Sequence, residues 1–242
     1  MENTYSESYQ VRLSQCDHRG RLSPSAALDL FMDLAGAHAE RLGNGVAALR
    51  ERGKFWVALK TRLELARQPE LDERIAAETW PEAAGRMLCA RNYLLRAGEE
   101  TLLAGRTEWT ILDTEGRLCN VREVYPGGMV FRTDRAVETP FYRFARDFAE
   151  PVFAEYRVRS TDVDLVGHMN NVAYLRTLLG LYGTAELDAR PLRAVELHYR
   201  NAAHEGDRLS IRRRESEGAT EYRVEQRDGG LVLLARVENG KG

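Results

Sequence analysis

One pattern occurs twice in this chain, and it restricts the possible folds more strongly than any other feature of the sequence. Each copy reads as a strand, a polar loop, a helix and a run of further strands. The two copies align at Asp17 and Asp164, Gly20 and Gly167, Leu22 and Met169, Ser23 and Asn170, and Leu28 and Leu175. A chain with two such copies can fold as the fused equivalent of a symmetric dimer, in which one copy is free to lose its functional groups.

The first copy is predicted to contain one long helix between strands. Apolar and polar residues alternate over 9–13, which indicates a half-buried strand. Ser23 is a favoured N-cap, Pro24 suits the first helical position, and apolar side chains then recur at helical spacing. Gly43 is the expected end of this helix. A short helical turn at 46–52 and strands at 55–65, 74–80, 87–95 and 102–112 follow.

The second copy restarts the pattern with a shorter helix. Residues 152–158 alternate like a strand, and a polar loop over 160–168 precedes a helix over 172–182 that is expected to end at Gly183. Predicted strands follow at 192–200, 208–214, 221–226 and 231–237. An Asp-Gly-Gly sequence at 228–230 is a strong hairpin-turn signal between the last two strands.

This order of elements predicts an α+β fold made of two fused hotdog domains, each a long helix wrapped by a curved antiparallel sheet. We expect the first domain over residues 1–125, an interdomain connection over 126–150 and the second domain over 151–242. The connection is expected to be ordered, because its aromatic side chains need a surface to pack on. These side chains are Phe131, Phe141, Tyr142, Phe144 and Phe148.

The charge balance and the distribution of apolar residues argue against several classes of function. The formal net charge is −2 and the pI about 6.3, so no general positive field would hold nucleic acid or an anionic membrane. The first residues lack a secretory layout, and no apolar run approaches the roughly 20 residues that span a bilayer. We therefore expect a cytoplasmic protein. No Cys-x-x-Cys pair is present, and we expect neither a metal nor an organic cofactor.

The most informative segment is the second polar loop, residues 161–171, which reads Thr-Asp-Val-Asp-Leu-Val-Gly-His-Met-Asn-Asn. It resembles a motif of the acyl carrier protein thioesterases, the family of plant plastid fatty acyl thioesterases and their bacterial relatives. That motif has the form Asp-x-Asn-x-His-Val-Asn-Asn. Matches in the first half are Gly20-Arg21-Leu22, Ala-Gly-Ala-His-Ala-Glu at 35–40, Trp56-Val57, Glu-Thr-Trp-Pro at 78–81 and Thr-Glu-Trp at 107–109. The resemblance therefore covers nearly the whole chain.

The resemblance implies hydrolysis of fatty acyl-acyl carrier protein to free fatty acid and carrier protein. Asp164 would be the catalytic base or nucleophile, assisted by His168, and backbone N–H groups at a helix N-terminus could bind the oxyanion. An Asp in a loop is also a common turn cap. The substrate-binding candidates are Asn170, Asn171, His38 and Trp56. Of these, Asn170 is also a favoured N-cap, His38 follows the apolar face of the first helix, and Trp56 suits a core or tunnel wall.

Three departures from the family pattern bear on this assignment. Val166 stands where the motif has Asn, which removes a hydrogen-bonding side chain. Ala202 stands where plant members carry a downstream acid, so that Asn201, His204 or Glu205 would have to substitute. The aligned loop of the first copy carries Arg19 and Arg21, and we expect no second active site there.

Two alternatives to hydrolysis of acyl carrier protein esters stay open. One is a thioesterase for coenzyme A esters, and the other is an acyl-binding hotdog protein without catalysis. The resemblance implies a strongly acidic carrier protein as partner, so an exposed arginine patch is expected. Candidates for this patch are Arg19, Arg21, Arg86, Arg91, Arg157 and Arg159. The sequence also leaves a homodimer open.

Overall fold

The computed structural model of the chain describes residues 3–240, which form two units that divide between Thr139 and Pro140. The predicted connection is shared between them, with residues 126–139 in the first unit and 140–150 in the second. Within residues 3–240, no helix is long and apolar enough to cross a membrane.

The first unit contains one long helix and an antiparallel sheet of five strands in the order β1-β3-β4-β5-β2. Its elements are β1 (Tyr5–Gln10), α1 (Pro24–Arg41), α2 (Val46–Glu51), β2 (Lys54–Leu65), β3 (Arg74–Pro81), β4 (Cys89–Ala97) and β5 (Glu100–Asp113). The predicted start of α1 is confirmed, because Oγ of Ser23 accepts a hydrogen bond from the Ala26 N–H at 3.2 Å and Pro24 is the first helical residue.

The core of the first unit lies between α1 and the sheet. Phe31 of α1 is fully buried and stacks on Tyr93 of β4, with ring centroids 4.7 Å apart. Leu34 and Ala27 belong to the same apolar cluster, which also takes in side chains from all five strands. The helix ring sits directly over Gly105 of β5, where a Cβ atom would lie 2.5 Å from Cε2 of Phe31. The absent side chain at 105 therefore lets the helix approach the sheet.

Replacing Gly105 with Ala should lower the free energy of unfolding by about 1–3 kcal/mol, because the added methyl group overpacks a full core. Urea unfolding of the two proteins would measure this change. Gly36→Ala is a matched control, since Gly36 lies in α1 and the position that a Cβ would take there is in open space. Alanine favours helix at such a position, so this variant should gain stability. Equal stability of Gly105→Ala and the wild type would contradict the close packing.

The second unit repeats the arrangement with an antiparallel sheet in the order β7-β10-β9-β8-β6. Its elements are β6 (Val152–Arg157), α3 (Asn171–Leu179), α4 (Thr184–Ala189), β7 (Leu192–Tyr199), β8 (Arg208–Ser216), β9 (Ala219–Gln226) and β10 (Leu231–Asn239). One face of α3 is buried, and the Tyr199 hydroxyl of β7 donates to the Asn171 carbonyl at 3.3 Å. Both units thus have the predicted pattern of one helix packed on a five-stranded sheet.

Two predicted boundaries are wrong for identifiable reasons. The first strand was expected over 9–13, but β1 covers Tyr5–Gln10, and Leu13 is 74% exposed at the start of a 3-10 turn. The strand ends at Gln10 because its partner strand β3 begins opposite it, at Arg74. The alternation of apolar and polar residues continues beyond this point without a partner strand. The second helix was expected to continue to 182, but α3 ends at Leu179 with Gly180 as its C-cap. Gly183 is instead the N-cap of the additional helix α4.

The segment 140–150 is packed on the second sheet. The Tyr142 N–H donates to Oε1 of Glu196 at 2.6 Å, and its hydroxyl donates to Oε1 of Glu221 at 2.7 Å. The Phe144 ring meets the ring of buried His198 edge-on, with centroids 4.9 Å apart. Aromatic side chains of the segment therefore have the packing partners that the sequence led us to expect.

Candidate active site

Asp164 closes the polar loop that precedes α3. Its Oδ1 accepts hydrogen bonds from the N–H groups of Val166 at 2.9 Å and His168 at 3.4 Å. Its own N–H donates to the His168 carbonyl at 2.9 Å. Gly167 completes the turn with a φ of +82°, a conformation that glycine adopts without strain. The loop thus presents the Asp164 carboxylate and the His168 imidazole from a fixed backbone.

The loop before α1 has the same backbone hydrogen bonds. Oδ1 of Asp17 accepts from the N–H groups of Arg19 at 2.9 Å and Arg21 at 3.1 Å, and Gly20 has a φ of +71°. A β-bridge closes each loop, between Cys16 and Leu22 in the first copy and between positions 163 and 169 in the second. The faint repeat in the sequence is therefore a repeat of local geometry.

The two aspartates differ in what their second oxygen meets. Oδ2 of Asp17 lies 3.2 Å from Nε2 of Gln68 and 3.5 Å from Nη2 of Arg19. Burial raises the pKa of Asp17, but hydrogen bonds from backbone N–H groups and the Arg19 guanidinium outweigh it, and the pKa lies below its usual value. Asp164 is exposed, and within residues 3–240 its Oδ2 has no hydrogen-bond or ion-pair partner. Only the second aspartate is free to meet a ligand.

His168 lies beside a second histidine from another loop. Its ring meets the ring of His204 edge to face, with centroids 5.0 Å apart and an interplanar angle of 88°. His204 is held by Asp207, whose Oδ2 accepts from the His204 N–H at 2.9 Å and lies 3.9 Å from His204 Nδ1. The His204 N–H and the Gln226 side chain stabilise the Asp207 carboxylate and lower its pKa.

Among the three substitutes that the sequence offered for the missing acid, His204 is the one whose ring lies against His168. Asp207 was missed by sequence reasoning. The repeat offered a signal for it, because Asp207 corresponds to Glu73 of the first unit. The N–H of Glu70 donates to Glu73 as the N–H of His204 donates to Asp207. Val166 contributes its backbone N–H to the loop, and its isopropyl group adds no hydrogen-bonding group to the site.

The two asparagines are at the N-terminus of α3. Oδ1 of Asn170 accepts from the Val172 N–H at 2.8 Å, so Asn170 is the N-cap. Asn171 is the first helical residue, and its carbonyl accepts from the Tyr199 hydroxyl. Asp164 and His168 therefore stand just before a helix N-terminus, where the aligned peptide dipoles favour negative charge.

His38 and Trp56 belong to the first unit, whereas this loop belongs to the second. His38 is 2% exposed, and its Nδ1 lies 3.0 Å from Nη1 of Arg91. Because a guanidinium only donates, Nδ1 accepts and carries no proton. Trp56 is half-buried and donates from Nε1 to the Asn44 carbonyl at 2.9 Å. Arg91 is 6% exposed, so its inclusion among the candidates for an exposed arginine patch is wrong.

The local chemistry suits a reaction driven by proton transfer. A free carboxylate oxygen, an imidazole four residues later and a helix N-terminus supply a base, a relay and a favourable place for negative charge. In the described part of the chain, no group of three or more His, Cys, Asp or Glu side chains is placed to hold a metal ion.

Two family models match this chain. Residues 2–125 match the acyl-ACP thioesterase N-terminal domain, and residues 146–237 match the acyl-ACP thioesterase C-terminal domain. The oleoyl-acyl carrier protein thioesterase of Coriandrum sativum, a chloroplastic protein, is 23% identical over 230 residues, which are 84% of this chain and 60% of that protein. The chain thus spans about 60% of the length of this curated relative.

Solved structures agree with the fold over nearly the whole chain. An acyl-ACP thioesterase from Bacteroides thetaiotaomicron superposes with a TM-score of 0.88 at 22% identity, covering 98% of both chains. The 12:0-ACP thioesterase from Umbellularia californica superposes with a TM-score of 0.85 at 19% identity, covering 99% of this chain and 98% of that one. At these identities the likeness establishes the fold, and the predicted tandem hotdog architecture is confirmed.

Proposed function

We propose that this chain, which belongs to the acyl-ACP thioesterase family, hydrolyses fatty acyl groups from acyl carrier protein and releases the free fatty acid. The observation that carries the proposal is the contrast between the two loops. They share one backbone geometry, but only the second has an aspartate oxygen without a partner among the described residues and a histidine four residues later, whereas His18 of the first loop directly follows the paired Asp17. A duplicated fold with one copy equipped for chemistry is what a fused dimer with a single active site requires.

In the proposed reaction, Asp164 removes a proton from a water molecule as the water oxygen attacks the thioester carbonyl. The negative charge that develops on the carbonyl oxygen is placed near the N-terminus of α3. The carbon–sulfur bond then breaks, the fatty acid forms, and the proton is passed to the carrier's thiolate sulfur with His168 as the relay. Attack by the Asp164 carboxylate itself is the alternative first step, with water hydrolysing the resulting anhydride.

A second candidate function, hydrolysis of acyl-coenzyme A, has specific support. Val166 and Ala202 replace the two polar residues that the resemblance would lead one to expect, and a site altered in this way can serve a different thioester. The catalytic loop would be the same. A third reading, acyl binding without hydrolysis, draws on the same two substitutions.

The three readings separate when one acyl chain is offered on acyl carrier protein and on coenzyme A and thiol release is measured for each. We expect kcat/KM to be higher by about tenfold or more on the carrier protein, because a protein partner adds contacts outside the thioester. Medium and long chains should both be used. Faster release from coenzyme A would identify the coenzyme A ester as the substrate. Tight acyl binding without thiol release would indicate an acyl-binding protein and not an enzyme.

A further inference from the structure

Three arginines form a row across the end of the second sheet. Arg157 is the last residue of β6 and lies directly opposite Arg208, the first residue of β8. On the next strand, Leu209 is opposite Gln226, so Arg227 follows at the level of Arg208. All three side chains are exposed. Neighbouring strands are about 4.8 Å apart, which brings the three backbones within about 10 Å. We refer to these residues as the arginine row.

The arginine row differs from the arginines in the body of the same sheet. Arginines 212, 213, 214, 223 and 236 each form an ion pair with a glutamate. Among residues 3–240, the arginine row has no carboxylate within ion-pair distance. Two neighbouring acids form hydrogen bonds with other groups, since Asp207 accepts from His204 and Gln226, and Asp228 accepts from the Gly230 N–H at 3.0 Å. The guanidinium groups of the row therefore have no ion-pair partner among the described residues of the second unit.

This placement works against folding. Like charges directly opposite one another on adjacent strands are destabilising, and Arg157 and Arg208 occupy such a pair of positions. Features that break a local rule without a compensating contact concentrate at functional surfaces. These are the features expected of a surface that binds another molecule.

The arginine row is at the same end of the sheet as the candidate catalytic loop. β6 ends at Arg157 and continues into the loop that carries Asp164, and β8 begins at Arg208 after the loop that carries His204. These two loops are joined by a hydrogen bond from the Val158 N–H to the Asp207 carbonyl at 2.9 Å. A macromolecule bound at the row would hold an attached group close to the catalytic loop.

We propose that the arginine row is the docking surface for an acidic face of the carrier protein, a proposal that rests on the proposed function. Three guanidinium groups spread over several strands suit carboxylates spread over a protein surface, and complementary charge accelerates encounter. Of the arginines singled out in the sequence, the row includes Arg157, whereas Arg19 is paired with Asp17 and Arg91 is buried.

The test is a triple variant, Arg157→Ala with Arg208→Ala and Arg227→Ala, assayed with one acyl chain on carrier protein, on coenzyme A and on uncharged pantetheine. We expect kcat/KM on the carrier protein to fall by about tenfold or more and to lose much of its salt dependence, while the rate on pantetheine is unchanged. A matched control removes three other exposed arginines without ion pairs in the described residues, Arg143, Arg146 and Arg193. It should behave like the wild type.

Three outcomes would overturn the docking surface. These are an unchanged rate on the carrier protein, an equal loss in the control triple variant, and an equal loss on coenzyme A, which would assign the row to phosphate groups. Binding of acyl carrier protein to the wild type and to both triple variants, measured by calorimetry, gives a readout that needs no turnover. If no thioester is hydrolysed but the row variant alone loses binding, the proposed function fails and the docking surface stands.

Discussion

Asp164→Asn should reduce thioester hydrolysis by about 10²–10⁴-fold, the usual contribution of a positioned general base. The variant keeps an oxygen at Oδ1, so the hydrogen bonds from the Val166 and His168 N–H groups can persist and the loop should keep its shape. What it loses is the negative charge and the proton-accepting oxygen. Thiol release from an acyl carrier protein substrate, measured as kcat and kcat/KM, gives the size of the loss.

The chain supplies its own control for this experiment. Asp17→Asn changes the aligned residue of the first unit in a loop with the same backbone hydrogen bonds, and it also removes the charge that Gln68 and Arg19 meet at Oδ2. We expect it to retain wild-type rates. An equal loss in both variants would mean that these aspartates act by holding their loops, and full activity of Asp164→Asn would remove Asp164 from the catalytic role.

Glu196→Ala should lower the free energy of unfolding of the second unit by about 1–3 kcal/mol, the usual cost of leaving a buried hydrogen-bonding group without its partner. The Glu196 side chain is 0% exposed, and its Oε1 lies 2.7 Å from Nε2 of His198 and accepts from the Tyr142 N–H. Alanine would leave the buried His198 without this acceptor and would remove the acceptor of the Tyr142 N–H. Because two units need not unfold together, hydrogen exchange of the β7 amides should accompany urea unfolding.

Two further variants separate this effect from loss of charge alone. Glu196→Gln retains an oxygen acceptor for the Tyr142 N–H and should cost less than the alanine variant. Glu215→Ala removes a partly exposed acid of β8 that pairs with Arg213, and such pairs contribute about 0–1 kcal/mol. If Glu196→Ala cost no more than Glu215→Ala, segment 140–150 would owe little of its attachment to Glu196.

Local chemistry explains why parts of this structure could be predicted from the sequence. Ser23 and Asn170 were recognised as helix caps because an N-cap depends on one side chain and on a backbone N–H two or three residues later. The alignment of Asp17 with Asp164 located two loops that share their hydrogen bonds, and it could do so because that pattern is closed within five residues.

Features that depend on distant partners were beyond such reasoning. The end of β1 is set by its pairing with β3, which lies more than 60 residues later. The contact between His38 and Arg91 joins positions 53 apart, and it turns an arginine expected at the surface into a buried donor. The position of the Asp207 loop beside His168 is visible only in the structure, and this position is also the reason that His204 stands out from its alternatives.

In the two polar loops, the aspartate fixes the backbone through one oxygen, Oδ1, and leaves the other oxygen available for different contacts. An aspartate and a glycine three residues later define each loop, and the other loop residues take part in the shared pattern through main-chain groups. Arg19 and Val166 occupy the same place in that scheme without altering it. Such a loop can exchange the side chains around its aspartate at little risk to its shape, so the first loop is a scaffold onto which a second site could be engineered.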